Sequence, residues 1–133
     1  MSYWDNKNVP FSELKGKTID KIVGLEESSD EVHFYTSDGK HYIMYHWQEC
    51  CESVSIDDVN GCVDDLIGTP ITIAEERTSA ENAEGVEIEY QESFTWTFYT
   101  LATVKAYVDI RWYGESNGYY SESVDFQEVA END

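Results

Sequence analysis

Basic side chains are scarce. Eight Lys and Arg stand against 28 Asp and Glu in 133 residues, a net charge of −20 at neutral pH. Binding to nucleic-acid phosphates or to an anionic membrane needs the opposite sign, so the composition excludes both classes. Long apolar runs are missing too, with no stretch of about 18 hydrophobic residues to span a bilayer as a helix. The opening residues lack the apolar centre of a secretory signal. Three cysteines, the neighbours Cys50 and Cys51 plus Cys62, make a poor disulfide framework. The count is odd, and adjacent cysteines bridge each other only through a distorted peptide. Reduced thiols in a cytoplasm are the expectation. Also absent are a Gly-X-Ser-X-Gly elbow, a phosphate loop, a His-Glu-X-X-His helix and a dinucleotide fingerprint. Beyond residue 60 no histidine remains to titrate near neutrality. The sequence argues against an enzyme.

What is present is aromatic and acidic. Hydrophobic residues make up 41% of the chain, and ten Tyr, five Phe and four Trp offer large areas to bury. That is too apolar for a disordered chain, and the length fits a single domain over 1–133. The charge is uneven. Residues 1–40 hold five of the eight basic residues, leaving Arg77, Lys105 and Arg111 to face twenty acids in 41–133. The pairs Asp57-Asp58, Asp64-Asp65 and Glu75-Glu76 read as solvated surface, since neighbours along a strand point to opposite faces.

The pattern predicts mostly strands. One helical turn over 11–14 follows Pro10, and a strand follows over 18–25. Residues 31–36 and 41–47 form a hairpin around a turn at 37–40 that carries Asp38-Gly39. Val54, Ile56 and Val59 suggest a short strand, 62–67 a short helix closed by Gly68, and Ile71 and Ile73 another strand. A polar loop is expected over 78–85. Apolar residues then fall on even positions: Val86, Ile88, Tyr90, Phe94, Trp96 and Phe98, and again Val104, Ala106, Val108, Ile110 and Trp112. The even face is read as the core face. A closing strand with Val124 and Phe126 is expected to pair with 104–112 and to bring Arg111 opposite Asp125. The expected fold class is α+β: an antiparallel β-sheet of about six strands with one or two short helices.

One cluster carries coordination chemistry. His46, Cys50 and Cys51 place an imidazole and two thiols within six residues, and zinc favours that donor set. Only a turn aims both thiols at one ion, because a helix or a strand points them apart. Glu52, Asp57, Asp58 and Cys62 are candidate fourth ligands. The alternative is a buried small cysteine beside a core histidine. His33 and His41, on the strands of the first hairpin, are weaker ligand candidates. A calcium loop fails: setting Gly61 at its glycine puts Ile56 and Ile67 where oxygen ligands belong. Tyr119 and Tyr120, in the turn after Gly114, are either partner anchors or rings packed on their own sheet.

Two strings carry a resemblance. The first is His46, Cys50-Cys51-Glu52 and Val54, running on through 56–61 and 64–71. The second is 110–123, from Ile110 through Gly114, Asn117 and Tyr120 to Ser123. Over about residues 41–126 the chain resembles a small family of tailed-bacteriophage and prophage proteins. The resemblance implies a phage-encoded accessory protein acting in the cytoplasm of a bacterial host, similar to anti-CRISPR inhibitors of type II effector nucleases. It transfers no catalytic residue. The leading expectation is therefore an acidic inhibitor that binds a basic, nucleic-acid-handling host defence protein and blocks DNA loading or channel access. A charge of −20 equals the phosphates of roughly ten base pairs. The other expectation, from a different class, is a structural zinc-binding module whose charge serves solubility.

Overall fold

Alternation and turn chemistry build the first hairpin. A computed structural model describes residues 6–47, 52–79, 93–116 and 122–129. In it β3 (Glu31–Thr36) and β4 (His41–Tyr45) pair antiparallel, with Tyr35 opposite His41 and His33 opposite Ile43. Val32, Phe34, Tyr42 and Met44 are buried on one face. In the turn, Gly39 takes a φ of 85° that side chains rarely tolerate. The Thr36 hydroxyl donates to the Asp38 carboxylate, and Lys17 pairs with the same carboxylate at 2.6 Å.

Around this hairpin a five-stranded sheet forms in the order β1-β9-β4-β3-β2, adding β1 (Lys7–Asn8), β2 (Ile19–Val23) and β9 (Asp125–Glu128). A second sheet has the order β5-β8-β7-β6, from β5 (Ser53–Asn60), β6 (Ile73–Ser79), β7 (Ser93–Ala102) and β8 (Tyr107–Ser116). All the strand pairs are antiparallel. Tyr99, Leu101, Val108, Ile110 and Trp112 of the second sheet meet Phe34, Tyr42, Met44 and Phe126 of the first in one hydrophobic core. Phe11 sits between them, 4.6 Å from Tyr99 and 5.2 Å from Phe126, ring centroid to centroid. The buried Trp112 indole donates across the sheets to the Met44 sulfur at 3.2 Å.

This architecture corrects the expected fold class. The chain is a two-sheet β structure, not an α+β fold of about six strands. The described residues contain nine strands and no α-helix, only single 3-10 turns at Phe11–Leu14 and Val63–Leu66. Each of those segments is four residues long, too short to nucleate an α-helix. Thr78 and Ser79, expected in a loop, belong to β6 and pair with Thr97 and Trp96, and the rest of that expected loop lies outside the described residues.

Two register expectations are also overturned. In β7 the odd residues Thr97, Tyr99 and Leu101 are buried, with Ala102 at the strand's end, while Trp96 and Phe98 face outward. The even-face reading holds in β8, where Val108, Ile110 and Trp112 are buried, but Val104 is 82% exposed in the turn that precedes it. Val86, Ile88 and Tyr90 lie outside the described residues. Secondly, β9 does not pair with β8. Both edges of β8 are already taken by β5 and β7, so the chain crosses to the other sheet, where Phe126 faces Met44 and Asp125 faces Tyr45. Arg111 pairs instead with Asp57.

Candidate functional site

Two places gather chemistry, and the first lies where the metal ligands were expected. His46 follows the end of β4, and Glu52 precedes β5. Both side chains are almost wholly buried, and imidazole Nε2 meets the Glu52 Oε2 at 2.8 Å. The other ring nitrogen, Nδ1, lies 2.7 Å from the Ser123 carbonyl oxygen. A carbonyl only accepts, so Nδ1 carries a proton and donates. Nε2 and the carboxylate then meet through one further proton, held on either partner. Ser123 is positioned by Gly114: a Cβ at Gly114 would stand 2.7 Å from the Glu122 carbonyl oxygen, so only glycine lets 122–123 cross β8 this closely. Glu122 is buried beside the pair of sheets and accepts hydrogen bonds from Thr95 at 2.9 Å and Ser116 at 2.5 Å.

Of the expected zinc ligands, His46 is therefore placed in a buried polar cluster, while Cys50 and Cys51 lie outside the described residues. Among the described residues no three His, Cys, Asp or Glu side chains are grouped to hold a metal ion. Cys62 is free and exposed. Tyr119 and Tyr120 also lie outside the described residues. Glu52 was legible as a candidate ligand next to the cysteines. Glu122 was not, because nothing local marks it as buried.

The second place is the outer face of the four-stranded sheet. Cross-strand register sets its side chains in rows. One row reads Asp58, Arg111, Phe98, Arg77 across β5, β8, β7 and β6, and the next reads Asn60, Asp109, Thr100, Glu75. A bulge between Ile56 and Asp58 leaves Asp57 without a cross-strand partner. That carboxylate takes both the Nε and Nη2 of Arg111, at 2.8 and 2.5 Å. The guanidiniums also lie over rings: Arg77 is 4.6 Å from the Phe98 centroid and Arg111 is 5.3 Å from that of Trp96. Trp96 and Tyr113 pack alongside at 4.5 Å with their rings tilted by 52°. A cleft of about 980 Å³ opens here, lined by Asp58, Glu75, Asp109, Phe98 and Tyr107 among others. Within the same lining, on β6, burial and the nearby Asp125 raise the Glu76 carboxyl above its ordinary value.

The acids on this face do not form one continuous patch, because the arginine row divides them. Sequence reasoning missed the cleft. The available signal was that the only two arginines of the chain stand alone in its acidic portion, each opposite Phe98 once the strands are aligned.

Residues 12–126 match the family described as "Domain of unknown function (DUF7448)". The chain belongs to that family. No curated protein and no solved structure matches it. No helix among the described residues is long and apolar enough to cross a membrane.

Proposed function

We propose that the chain is a non-catalytic interaction protein that binds a cationic, nucleic-acid-handling partner and inhibits it, docking through the cleft of the four-stranded sheet. The observation that carries this reading is the cleft itself. Asp58, Glu75, Glu76 and Asp109 outnumber Arg77 and Arg111 there and stand beside Phe98 and Tyr107, and that mixture suits incoming lysine and arginine side chains. Carboxylates take the charge and rings take the flat or aliphatic stem. A charge of −20 adds long-range steering, which raises encounter rates and fades with salt. Regular mimicry of a phosphate ladder is a poorer description, since Arg77 and Arg111 interrupt the acids. A type II CRISPR effector nuclease, basic along its nucleic-acid channel, is a partner of the right kind, and phage counter-defence is a setting that fits the proposal.

The test is titration of the purified chain against such a nuclease, with and without guide and target DNA. Binding is expected to weaken steeply as salt rises and to fall at least tenfold in a Glu75→Lys, Asp109→Lys variant that remains folded. Binding unaffected by salt and by that variant would sink the reading.

A second reading is favoured by one feature of the buried cluster. His46 holds its Nδ1 on a backbone carbonyl and turns Nε2 toward a carboxylate, in the same short connection as Cys50 and Cys51. Metal-bound histidines are commonly oriented by such a carbonyl bond. In this reading zinc braces the junction of the two sheets. Elemental analysis giving one zinc per chain, lost in a Cys51→Ser variant, would support it; metal-free, fully folded protein would remove it.

A further inference from the structure

The hairpin of β7 and β8 ends in a turn that is tightly built and still shows apolar side chains to solvent. Ala102 and Tyr107 form the last rung between the strands. Residues 103–106 make the turn, closed by the Thr103 amide donating to the Ala106 carbonyl at 2.9 Å. The buried Thr103 hydroxyl accepts from the amides of Lys105 at 3.1 Å and Ala106 at 3.2 Å, and donates to the Asp65 carbonyl at 3.3 Å. A hydroxyl has one proton to give and two lone pairs, so all its positions are used. The turn is thereby pinned to the 3-10 segment Val63–Leu66. Yet Val104 is 82% and Tyr107 59% exposed, the highest values among the large hydrophobic side chains of the described residues.

We propose that this turn is the apolar anchor of the docking surface, with Val104 and Tyr107 entering an apolar recess that borders the basic surface of the partner. The proposal rests on the docking reading above and adds what the partner must offer besides positive charge. Three observations carry it. The first is position: Tyr107 and, two residues further along β8, Asp109 line the cleft, so the turn continues the same surface. The second is residue choice. Neither Val104 nor Lys105 has a positive φ, so any small polar residue fits, and Asn, Asp or Ser would suit a solvated turn better than a β-branched apolar side chain. The third is rigidity. Thr103 fixes the backbone and valine has few rotamers, so little is left for binding to order.

Charge and apolar contact divide the work at such a surface. The carboxylates of the cleft steer a cationic partner toward it and set the salt dependence, while side chains that leave water hold the complex together. Charge also selects the occupant. An anionic bilayer repels a chain of net charge −20, and a second copy would bring two such chains face to face. A cationic protein with an apolar recess beside its basic groups meets both halves of the surface at once.

The experiment compares binding of a type II effector nuclease by the full parent chain and by folded Val104→Ala, Tyr107→Ala and Thr103→Ala variants over a range of salt. Val23→Ala, on the other sheet and 43% exposed, serves as the reference. Val104→Ala is expected to weaken binding about tenfold with an unchanged salt dependence. Tyr107→Ala is expected to cost at least as much, and Val23→Ala nothing. Thr103→Ala should weaken binding although it removes no exposed apolar group, and Thr103→Ser, which keeps the hydroxyl, should restore it. Suppose the parent binds in a salt-sensitive way and Glu75→Lys, Asp109→Lys weakens it, while Val104→Ala and Tyr107→Ala bind as the parent does. That result would overturn the anchor and leave the docking reading standing, whereas a parent chain that does not bind takes both away. Sedimentation of the parent alone supplies the last outcome: dimers that come apart in Val104→Ala would make a second copy the occupant and overturn the proposal.

Discussion

At the scale of single residues, the buried His46–Glu52 pair is the most exacting feature. Two polar groups have left water, and each depends on the other and on the Ser123 carbonyl to replace what water supplied. Removing one partner takes away the buried 2.8 Å contact of the other, and breaking a buried pair typically costs about 3–5 kcal/mol. His46→Ala is therefore expected to lower the urea midpoint by that order, whereas Trp47→Ala next to it, already 39% exposed, should change stability by less than about 1 kcal/mol. Equal effects from the two substitutions would mean that the pair is not a structural centre. The sequence pointed to His46 and Glu52 through their nearness to cysteines. It did not point to their burial, since a histidine at the end of a strand reads the same whether it faces solvent or Ser123.

At the scale of elements, the first hairpin shows why some of the fold was legible. Residues 31–36 alternate cleanly, the turn carries Asp38-Gly39, and β3 forms over the residues the pattern marks. The turn also predicts a pH effect. Hydrogen bonds from Lys17 and Thr36 hold the Asp38 carboxyl down at about 2, against an ordinary 3.8. A carboxylate with a lowered folded-state pKa stabilises the fold fully above its unfolded value and loses that effect as pH falls through the folded one. Asp38→Asn should thus be less stable than the parent at pH 6, with most of that difference gone by pH 2, where the parent's carboxyl is half protonated, by thermal melts at both pH values. β7 shows the opposite case. Thr95, Trp96, Thr97, Phe98 and Tyr99 offer aromatic rings to both faces, so period two alone cannot choose the inner one. The choice falls to the partners: Phe98 goes outward, where Arg77 and Arg111 flank it in the row, and Tyr99 goes inward to Phe11. The division into two sheets was hidden for a related reason, because strand partners far apart in sequence leave no local mark.

At the scale of the whole molecule, charge and topology act together. Among the described residues the four-stranded sheet ends at β5, whose outer edge is bonded at Ile56 by Ser28 and Ser29, and at β6, and each carries an acidic doublet, Asp57-Asp58 on one and Glu75-Glu76 on the other. An unpaired strand is an invitation to a second copy, and like charge along it is a common safeguard. With a sequence isoelectric point near 4.1, that safeguard weakens as the carboxylates take up protons. Light scattering is expected to show dispersed chains at pH 7 and association as the pH approaches 4, and Asp58→Asn, Glu75→Gln should move its onset to higher pH. Onset at the same pH in parent and variant would place the responsible groups elsewhere. The bulge in β5 then gains a second meaning: by spending Asp57 on Arg111, it distorts the very rim along which a neighbouring molecule would have to align, so the protein guards that border by shape as well as by sign.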